Sequence, residues 1–101
     1  MADKLGILVS SDYHLDKVIS LTTAAHQKGK EVEIFFSHTG VFLTQKPEFK
    51  QLVGKAKMAL CLFCFQKYGL EGDVPGLEEK DFATQARHAE MIQWCDRYMV
   101  F

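Results

Sequence analysis

Residues 4–36 read KLGILVSSDYHLDKVISLTTAAHQKGKEVEIFF, and this stretch decides the fold of the chain. Its nearly unbroken apolar run over residues 4–11 is typical of a short strand that is buried on both faces of a sheet. Apolar residues then recur at helical spacing over residues 15–25, until Gly29 ends the pattern. A second apolar run, over residues 32–36, predicts another strand. Because a helix separates the two strands, we expect them to be parallel.

The rest of the chain continues this alternation of strands and helices. Thr44 is expected to cap a second helix, which has Pro47 in its first turn and an apolar stripe over residues 49–56. Residues 58–62 predict a third buried strand, and residues 63–68 predict a short helix. The remaining predicted elements are a loop at 71–76, a helix at 81–94 and a closing strand at 97–101.

This order predicts an α/β fold, namely a small doubly wound parallel sheet of about five strands or fewer, with right-handed crossovers. Helices on both faces would make it a three-layer domain of the flavodoxin-like or Rossmann-like kind. A length of 101 residues suits one domain, which we assign to residues 1–101.

The charge balance and the short apolar runs argue against several classes of protein. The chain has 12 Lys and Arg against 13 Asp and Glu, a net charge of -1, which argues against nucleic acid or an anionic membrane surface as the partner. No apolar run approaches the roughly 18 to 20 residues of a membrane-spanning helix. The N-terminal residues lack the features of a secretory signal, so we expect a cytoplasmic location.

Ligands of an open parallel sheet bind outside the carboxyl ends of the strands, and that rule selects the candidate site. Ser10, Ser11 and Asp12 follow the first predicted strand and are also candidate N-caps of the first helix. Ser37, His38, Thr39 and Gly40 follow the second strand, and His38 could exchange a proton near a thiolate. The third strand delivers Cys61, with Cys64 close behind it.

Cys61 is the obvious nucleophile at this edge. If a helix begins just after it, the free N–H groups and the positive end of the helix dipole favour the thiolate, which is the reactive form. The alternative is that Cys61 is a small apolar residue at the end of a buried strand. The chain has three cysteines, which cannot all pair with one another, so we expect no disulfide framework.

Cys61 and Cys64 also form a C-x-x-C motif, which raises the possibility of a thiol–disulfide oxidoreductase. The motif follows the third strand and encloses two bulky apolar residues, whereas redox pairs of the thioredoxin type follow an early strand. Zinc would also need Cys95 and His88, but a second close ligand pair is missing, so no metal is expected. Cys95 is expected to pack, and His88 to be solvated. The chain has no dinucleotide-binding or P-loop motif, so neither dinucleotide nor P-loop phosphate binding has support from the sequence.

Four stretches, spread over nearly the whole chain, resemble one known family. They read KLGILVSS (4–11), GKEVEIFF (29–36), LCLFCFQKYGL (60–70) and CDRYMVF (95–101). All four are similar to the DsrE/DsrF-like sulfur-relay proteins, which include the TusD type of subunit. In the sulfur-carrying members a cysteine lies eight positions before a glycine, as Cys61 lies before Gly69. The resemblance therefore implies that Cys61 is the persulfide cysteine.

The resemblance also implies a reaction and its partners. Cys61 would accept a sulfane sulfur from the persulfide of a donor protein and pass it to a thiol of an acceptor protein, without a cofactor. Cys64 departs from the family's usual small residue; it could attack the Cys61 persulfide and discharge it as a disulfide, or it could pack.

Family members assemble as dimers, trimers or hexamers, so we expect a homo-oligomer. An interface between subunits would cover aromatic residues that so small a core does not easily hide. These residues are Phe42, Phe63, Phe65, Tyr68, Trp94 and Phe101.

Three hypotheses from different functional classes therefore follow from the sequence. The first is a sulfur carrier that works through Cys61. The second is a dithiol oxidoreductase that uses Cys61 and Cys64. The third is a non-catalytic module of the same fold that binds a ligand or assembles with a partner.

Overall fold

The structure, a computed structural model, describes residues 3–101, so that residues 1 and 2 of the assigned domain lie outside it. The strands are β1 (Lys4–Val9), β2 (Glu31–Phe36), β3 (Lys57–Cys61), β4 (Phe82–Ala83) and β5 (Arg97–Val100). The α-helices are α1 (Leu15–Gln27), α2 (Leu62–Lys67) and α3 (Gln85–Trp94). Three 3-10 helices lie in the connections, at His38–Gln45, Pro47–Leu52 and Glu79–Asp81.

All the strand pairs of the sheet are parallel, and the strand order is β4-β3-β2-β1-β5. The chain steps outward from β1 to β4 and then returns past β1 to form β5. Because crossovers between parallel strands are right-handed, the outward steps and the return step place their helices on opposite faces. Contacts agree, since α1 packs with the second 3-10 helix while α3 packs on β1 and β2. The predicted doubly wound, three-layer α/β fold is confirmed.

The face of the sheet beneath α1 holds most of the core. The strand register aligns apolar side chains from three neighbouring strands in two rows across this face. These buried residues are Ile7, Ile34 and Met58 in one row and Val9, Phe36 and Leu60 in the next. The second 3-10 helix adds Phe49, whose ring packs edge-on against that of Phe36 at 5.4 Å between centroids.

The opposite face is covered by α3, and a glycine in β1 allows α3 to approach the sheet closely. A Cβ atom on Gly6 of β1 would lie 2.9 Å from Cys95 Sγ and 3.2 Å from Met91 Cγ. Cys95 therefore has the packing role that the sequence predicts. Within residues 3–101, no helix is long and apolar enough to cross a membrane.

Glu33 lies near α3 on this second face, and its carboxyl opposes folding at neutral pH. Burial raises the pKa of Glu33 above 4.5, and the nearby charges of Lys57 and Arg87 offset this only in part. The folded state therefore binds more protons than the unfolded state between pH 4.5 and the raised pKa, so stability falls as the pH rises through that window.

We expect Glu33→Gln to raise the thermal unfolding midpoint at pH 7, because the variant lacks the desolvated charge. The gain should vanish below pH 4.5, where the wild-type carboxyl is protonated. Thermal melts at both pH values measure this effect, and Glu71→Gln in the exposed loop is the matched control. A lower midpoint for Glu33→Gln at pH 7 would contradict the expectation.

The predicted second helix is wrong in type and in its cap. The segment forms 3-10 helices at His38–Gln45 and Pro47–Leu52 instead of an α-helix. Lys46 between them has extended backbone angles (φ -82°, ψ 143°), as expected for a residue that precedes proline. Thr44 caps nothing, because its hydroxyl donates to the carbonyl of Val41 at 2.7 Å.

Two further boundaries differ from the prediction. The first strand ends at Val9, and His14, which makes no capping bond, occupies the N-cap position of α1 instead of Ser10, Ser11 or Asp12. The last helix begins only at Gln85, where the Thr84 hydroxyl accepts the N–H of Ala86 at 3.2 Å. The preceding two residues form β4, which is too short to show a period in the sequence.

Candidate functional site

The C-x-x-C motif lies at the carboxyl edge of the sheet. Cys61 ends β3 and is the N-cap residue of α2, so the expected helix does begin directly after it. Cys64 lies one turn further along. Cys61 and Cys64 are buried, with 5% and 8% of their surface exposed, and both are free thiols. Although Cys61 is the N-cap residue, its side chain makes no capping hydrogen bond within residues 3–101.

Both cysteines line one cleft of about 610 Å³. Its walls come from α2 on one side and from the junction between β4 and α3 on the other. The residues that line the cleft include Cys61, Leu62, Phe63, Cys64, Tyr68 and Gln85. The Phe63 side chain stands 72% exposed beside Cys64. The site is therefore a largely apolar cleft that contains two thiols.

Two polar groups face the sulfur of Cys64. The backbone N–H of His38 donates to Cys64 Sγ at 3.3 Å, and Ser37 Oγ lies 3.8 Å from the same sulfur. Ser37 in turn accepts the side-chain amide of Gln85 at 3.0 Å. His38 has a φ of +50°, a left-handed conformation that is costly for a residue other than glycine. Such local strain is often found at functional sites.

The hydrogen bonds continue away from the cleft. Gln85 Oε1 lies 3.3 Å from His88 Nδ1, and His88 Nε2 lies 2.7 Å from the Tyr98 hydroxyl. The His88 ring also stacks on Phe35, with 5.5 Å between centroids. Burial lowers the pKa of His88 and raises the pKa of Tyr98. His88 is half-buried and not fully solvated as predicted, because α3 directs one face of its ring onto Phe35 of the sheet.

Most of the remaining predicted site residues lie apart from the cleft. Of the weak ligand-binding candidates Ser10, Ser11, His38 and Gly40, only His38 lines the cleft. The Ser10 hydroxyl donates to the carbonyl of Phe101 at 3.4 Å, which holds the end of β5. Gly40 packs against the backbone of Val9.

Sequence reasoning placed Ser37 among the polar residues after the second strand without giving it a role, and it missed Gln85. Ser37 directly follows the buried run of β2, and this position is its one visible signal. Gln85 reaches the site only because β4 pairs with β3 and turns α3 toward the carboxyl edge. A two-residue strand gives the sequence no pattern from which that arrangement can be read.

The structure offers no cluster of metal ligands. Among residues 3–101, no group of three or more His, Cys, Asp or Glu side chains could hold a metal ion. Cys95 is at the C-terminal end of α3, against Gly6 of β1, and so is remote from the motif.

Comparisons with known proteins agree with this fold. The model of the DsrE/DsrF-like family matches residues 3–101. A solved structure of a conserved protein of unknown function from Bacteroides thetaiotaomicron superposes with a TM-score of 0.74 at 14% identity. The alignment covers 98% of this chain and 95% of that chain, and at this identity it shows the shared fold alone. No curated protein matches the sequence.

Proposed function

Because the chain belongs to the DsrE/DsrF-like family, we propose that it is a sulfur carrier that holds a sulfane sulfur as a persulfide on Cys61. The observation that carries this proposal is that two free thiols share one largely apolar cleft at the carboxyl edge of the sheet. Donor and acceptor proteins would exchange sulfur with Cys61 at the mouth of this cleft.

Each transfer is a displacement at sulfur. The Cys61 thiolate attacks the outer sulfur of the donor persulfide, so that a new S–S bond forms and the old bond breaks. The electron pair of the broken bond leaves on the donor's thiolate. An acceptor thiolate then attacks the outer sulfur on Cys61 in the same way. The two displacements balance without a metal or an organic cofactor, and the apolar walls of the cleft would limit the access of water to the persulfide.

The surroundings of the cleft support a protein as the partner. Phe63 is 72% exposed and Leu62 is 37% exposed, and both belong to the cleft. Exposed apolar side chains beside a reactive group favour contact with another protein surface. On the far edge of the sheet, Tyr98, Met99 and Val100 of β5 are also exposed, and we propose that this chain self-associates. A cytoplasmic location belongs to the proposal, because that compartment keeps thiols reduced.

Sulfur loading tests the proposal directly. Early in an incubation with a small-molecule persulfide donor, before the persulfide is lost, we expect the intact wild-type protein to gain the mass of one sulfur atom. Cys61→Ser should gain none, because it lacks the accepting thiol. The matched control is Cys95→Ser, which removes the thiol at the opposite edge and should load like wild type. Failure of the wild-type protein to load at early times, or full loading of Cys61→Ser, would contradict the proposal.

A second candidate function, thiol–disulfide exchange, is favoured by the placement of both cysteines in the same cleft. Peptide mapping of the donor-treated and untreated proteins separates the two functions. In an oxidoreductase, mild oxidation without a sulfur donor forms the Cys61–Cys64 disulfide and the donor adds no sulfur to any peptide, whereas in a sulfur carrier the Cys61 peptide gains sulfur at early times.

A further inference from the structure

The environment of Cys64 differs from that of Cys61. The Cys64 sulfur faces the N–H of His38 at 3.3 Å and the hydroxyl of Ser37 at 3.8 Å. Cys61, which the resemblance selects as the sulfur carrier, makes no capping bond to α2 within the described residues. The hydrogen-bonded sulfur therefore belongs to the second thiol of the motif, and a purely packing role for Cys64 does not require such donors.

We propose that Cys64 is the resolving thiol of the Cys61 persulfide, and that Ser37 and Gln85 are its positioning residues. The inference rests on the proposed function, since it needs a persulfide on Cys61. When no acceptor protein is docked, Cys64 would discharge the persulfide within the same chain and release its sulfur as hydrosulfide.

The step balances within the protein. The Cys64 thiolate attacks the inner sulfur of the persulfide, which is Cys61 Sγ, and a Cys61–Cys64 disulfide forms. The bond between Cys61 Sγ and the outer sulfur breaks, and the outer sulfur leaves with the electron pair as hydrosulfide. The sulfane sulfur is thereby reduced and the two cysteines are oxidised, so no external oxidant is required. A thiol reductant of the glutathione or dithiol class then restores both thiols.

The position of the cysteines on α2 brings them within reach. Cys61 is the N-cap residue, with extended backbone angles (φ -79°, ψ 111°), and Cys64 is the third residue of the helix. The side chain of an N-cap residue normally reaches the N–H of the second or third helical residue. Side chains three residues apart have Cβ atoms about 5 to 6 Å apart, and a disulfide needs about 3.5 to 4.5 Å. A change in the backbone angles of Cys61, which lies outside the helix, can close this gap.

Gln85 determines which way the Ser37 hydroxyl points. The amide Nε2 donates to Ser37 Oγ at 3.0 Å, so the hydrogen of Ser37 is free to point at Cys64 Sγ. On its other side, Gln85 Oε1 faces His88 Nδ1 at 3.3 Å, and Tyr98 holds the far nitrogen of that ring. This network presents two donors to one sulfur. Such donors stabilise the negative charge that the Cys64 sulfur carries before it attacks, and the charge that it regains when it leaves during reduction of the disulfide.

The test follows the fate of the sulfur in a Cys95→Ser background. The protein is loaded with a small-molecule persulfide, the donor is removed, and free sulfide and intramolecular disulfide are measured with time. We expect one hydrosulfide released for each disulfide formed. Cys64→Ser should load normally and keep its persulfide, because it lacks the resolving thiol.

Gln85→Glu tests the positioning role, because it keeps the shape of the side chain but can only accept a hydrogen bond from Ser37. Ser37 then turns its hydrogen away from the sulfur, and we expect the release of sulfide per loaded molecule to slow by about tenfold. Ser37→Ala should slow release to a similar degree. The matched control is Gln93→Glu, which places the same charge at an exposed position of the same helix and should release sulfur at the wild-type rate.

The outcomes separate this inference from the function on which it rests. Loading without sulfide release or disulfide formation overturns the inference alone. Equal release rates for Gln85→Glu and Gln93→Glu overturn the role of Gln85. If the persulfide donor loads none of the proteins, the proposed function fails and the resolving step fails with it. Thermal melts of each variant identify any loss of rate that comes from unfolding.

Discussion

Gly40→Ala is expected to cost about 4 kcal/mol of folding free energy, a large share of the roughly 5 to 15 kcal/mol that stabilises a typical domain. Gly40 is buried in the first 3-10 helix, and a Cβ atom there would overlap the carbonyl oxygen of Val9. That carbonyl belongs to β1, which is paired on both sides by β2 and β5, and it accepts the N–H of Ser37 at 2.9 Å. The backbone of β1 therefore cannot move aside without a loss of sheet hydrogen bonds.

Urea unfolding measures the loss of folding free energy in Gly40→Ala. Gly54→Ala is the control, because it adds a Cβ atom at a position where no steric clash arises. A Cβ atom on Gly54 meets nothing within 4 Å, although the residue has a φ of +84°. Gly54→Ala should therefore cost only the strain of a left-handed residue, about 1 to 2 kcal/mol. If Gly40→Ala costs no more than Gly54→Ala, the packing of Gly40 against β1 does not have the effect that we assign to it.

Gly40 also shows how position in the sequence can mislead. It follows the second strand, so the rule for parallel sheets makes it a candidate ligand-binding residue, but the chain uses its lack of a side chain to pass close to β1. A glycine that is needed for close approach and a glycine that serves a ligand look the same in one sequence. Only the three-dimensional path of the backbone distinguishes them.

The architecture could be predicted because its strongest signals are local. The apolar runs of β1, β2 and β3 are buried on both faces, and Gly29 ends α1 with the left-handed φ of +74° expected of a helix-terminating glycine. The second helix was not predicted correctly because Pro47 and the extended Lys46 divide it into two 3-10 segments. An apolar stripe shows which side chains are buried, but does not distinguish an α-helix from short 3-10 turns.

The candidate site was predictable only in part, for a related reason. Cys61 and Cys64 belong to one short segment at the end of a recognisable strand, so their common placement follows from the sequence. The polar groups around Cys64 depend on Ser37, just after β2, whose hydroxyl accepts a hydrogen bond from Gln85 at the start of α3, 48 residues away. Tertiary packing creates that contact, and no local pattern in the sequence reports it.

Phe49→Ala is expected to cost about 3 to 5 kcal/mol, the usual range for removal of a fully buried aromatic ring. Phe49 has no exposed surface, and its ring packs against Phe36 of β2 at 5.4 Å between centroids. It anchors the second 3-10 helix, which packs on α1, so the cavity left by the variant lies between these elements and the sheet. The decrease in the urea concentration at the unfolding midpoint measures this loss of folding free energy.

Phe49→Leu is the matched variant, because it keeps an apolar side chain at the same position and should cost clearly less than Phe49→Ala. Phe36 and Ser37 are adjacent in the chain, but their side chains serve different parts of the molecule: Phe36 packs in the core beneath α1, and Ser37 contacts Cys64 and Gln85. Sulfur loading per folded molecule should therefore remain at the wild-type level in both variants. A cost below about 1 kcal/mol for Phe49→Ala would mean that the site collapses to fill the cavity. A loss of loading in the folded fraction would mean that the core and the cleft are coupled through β2.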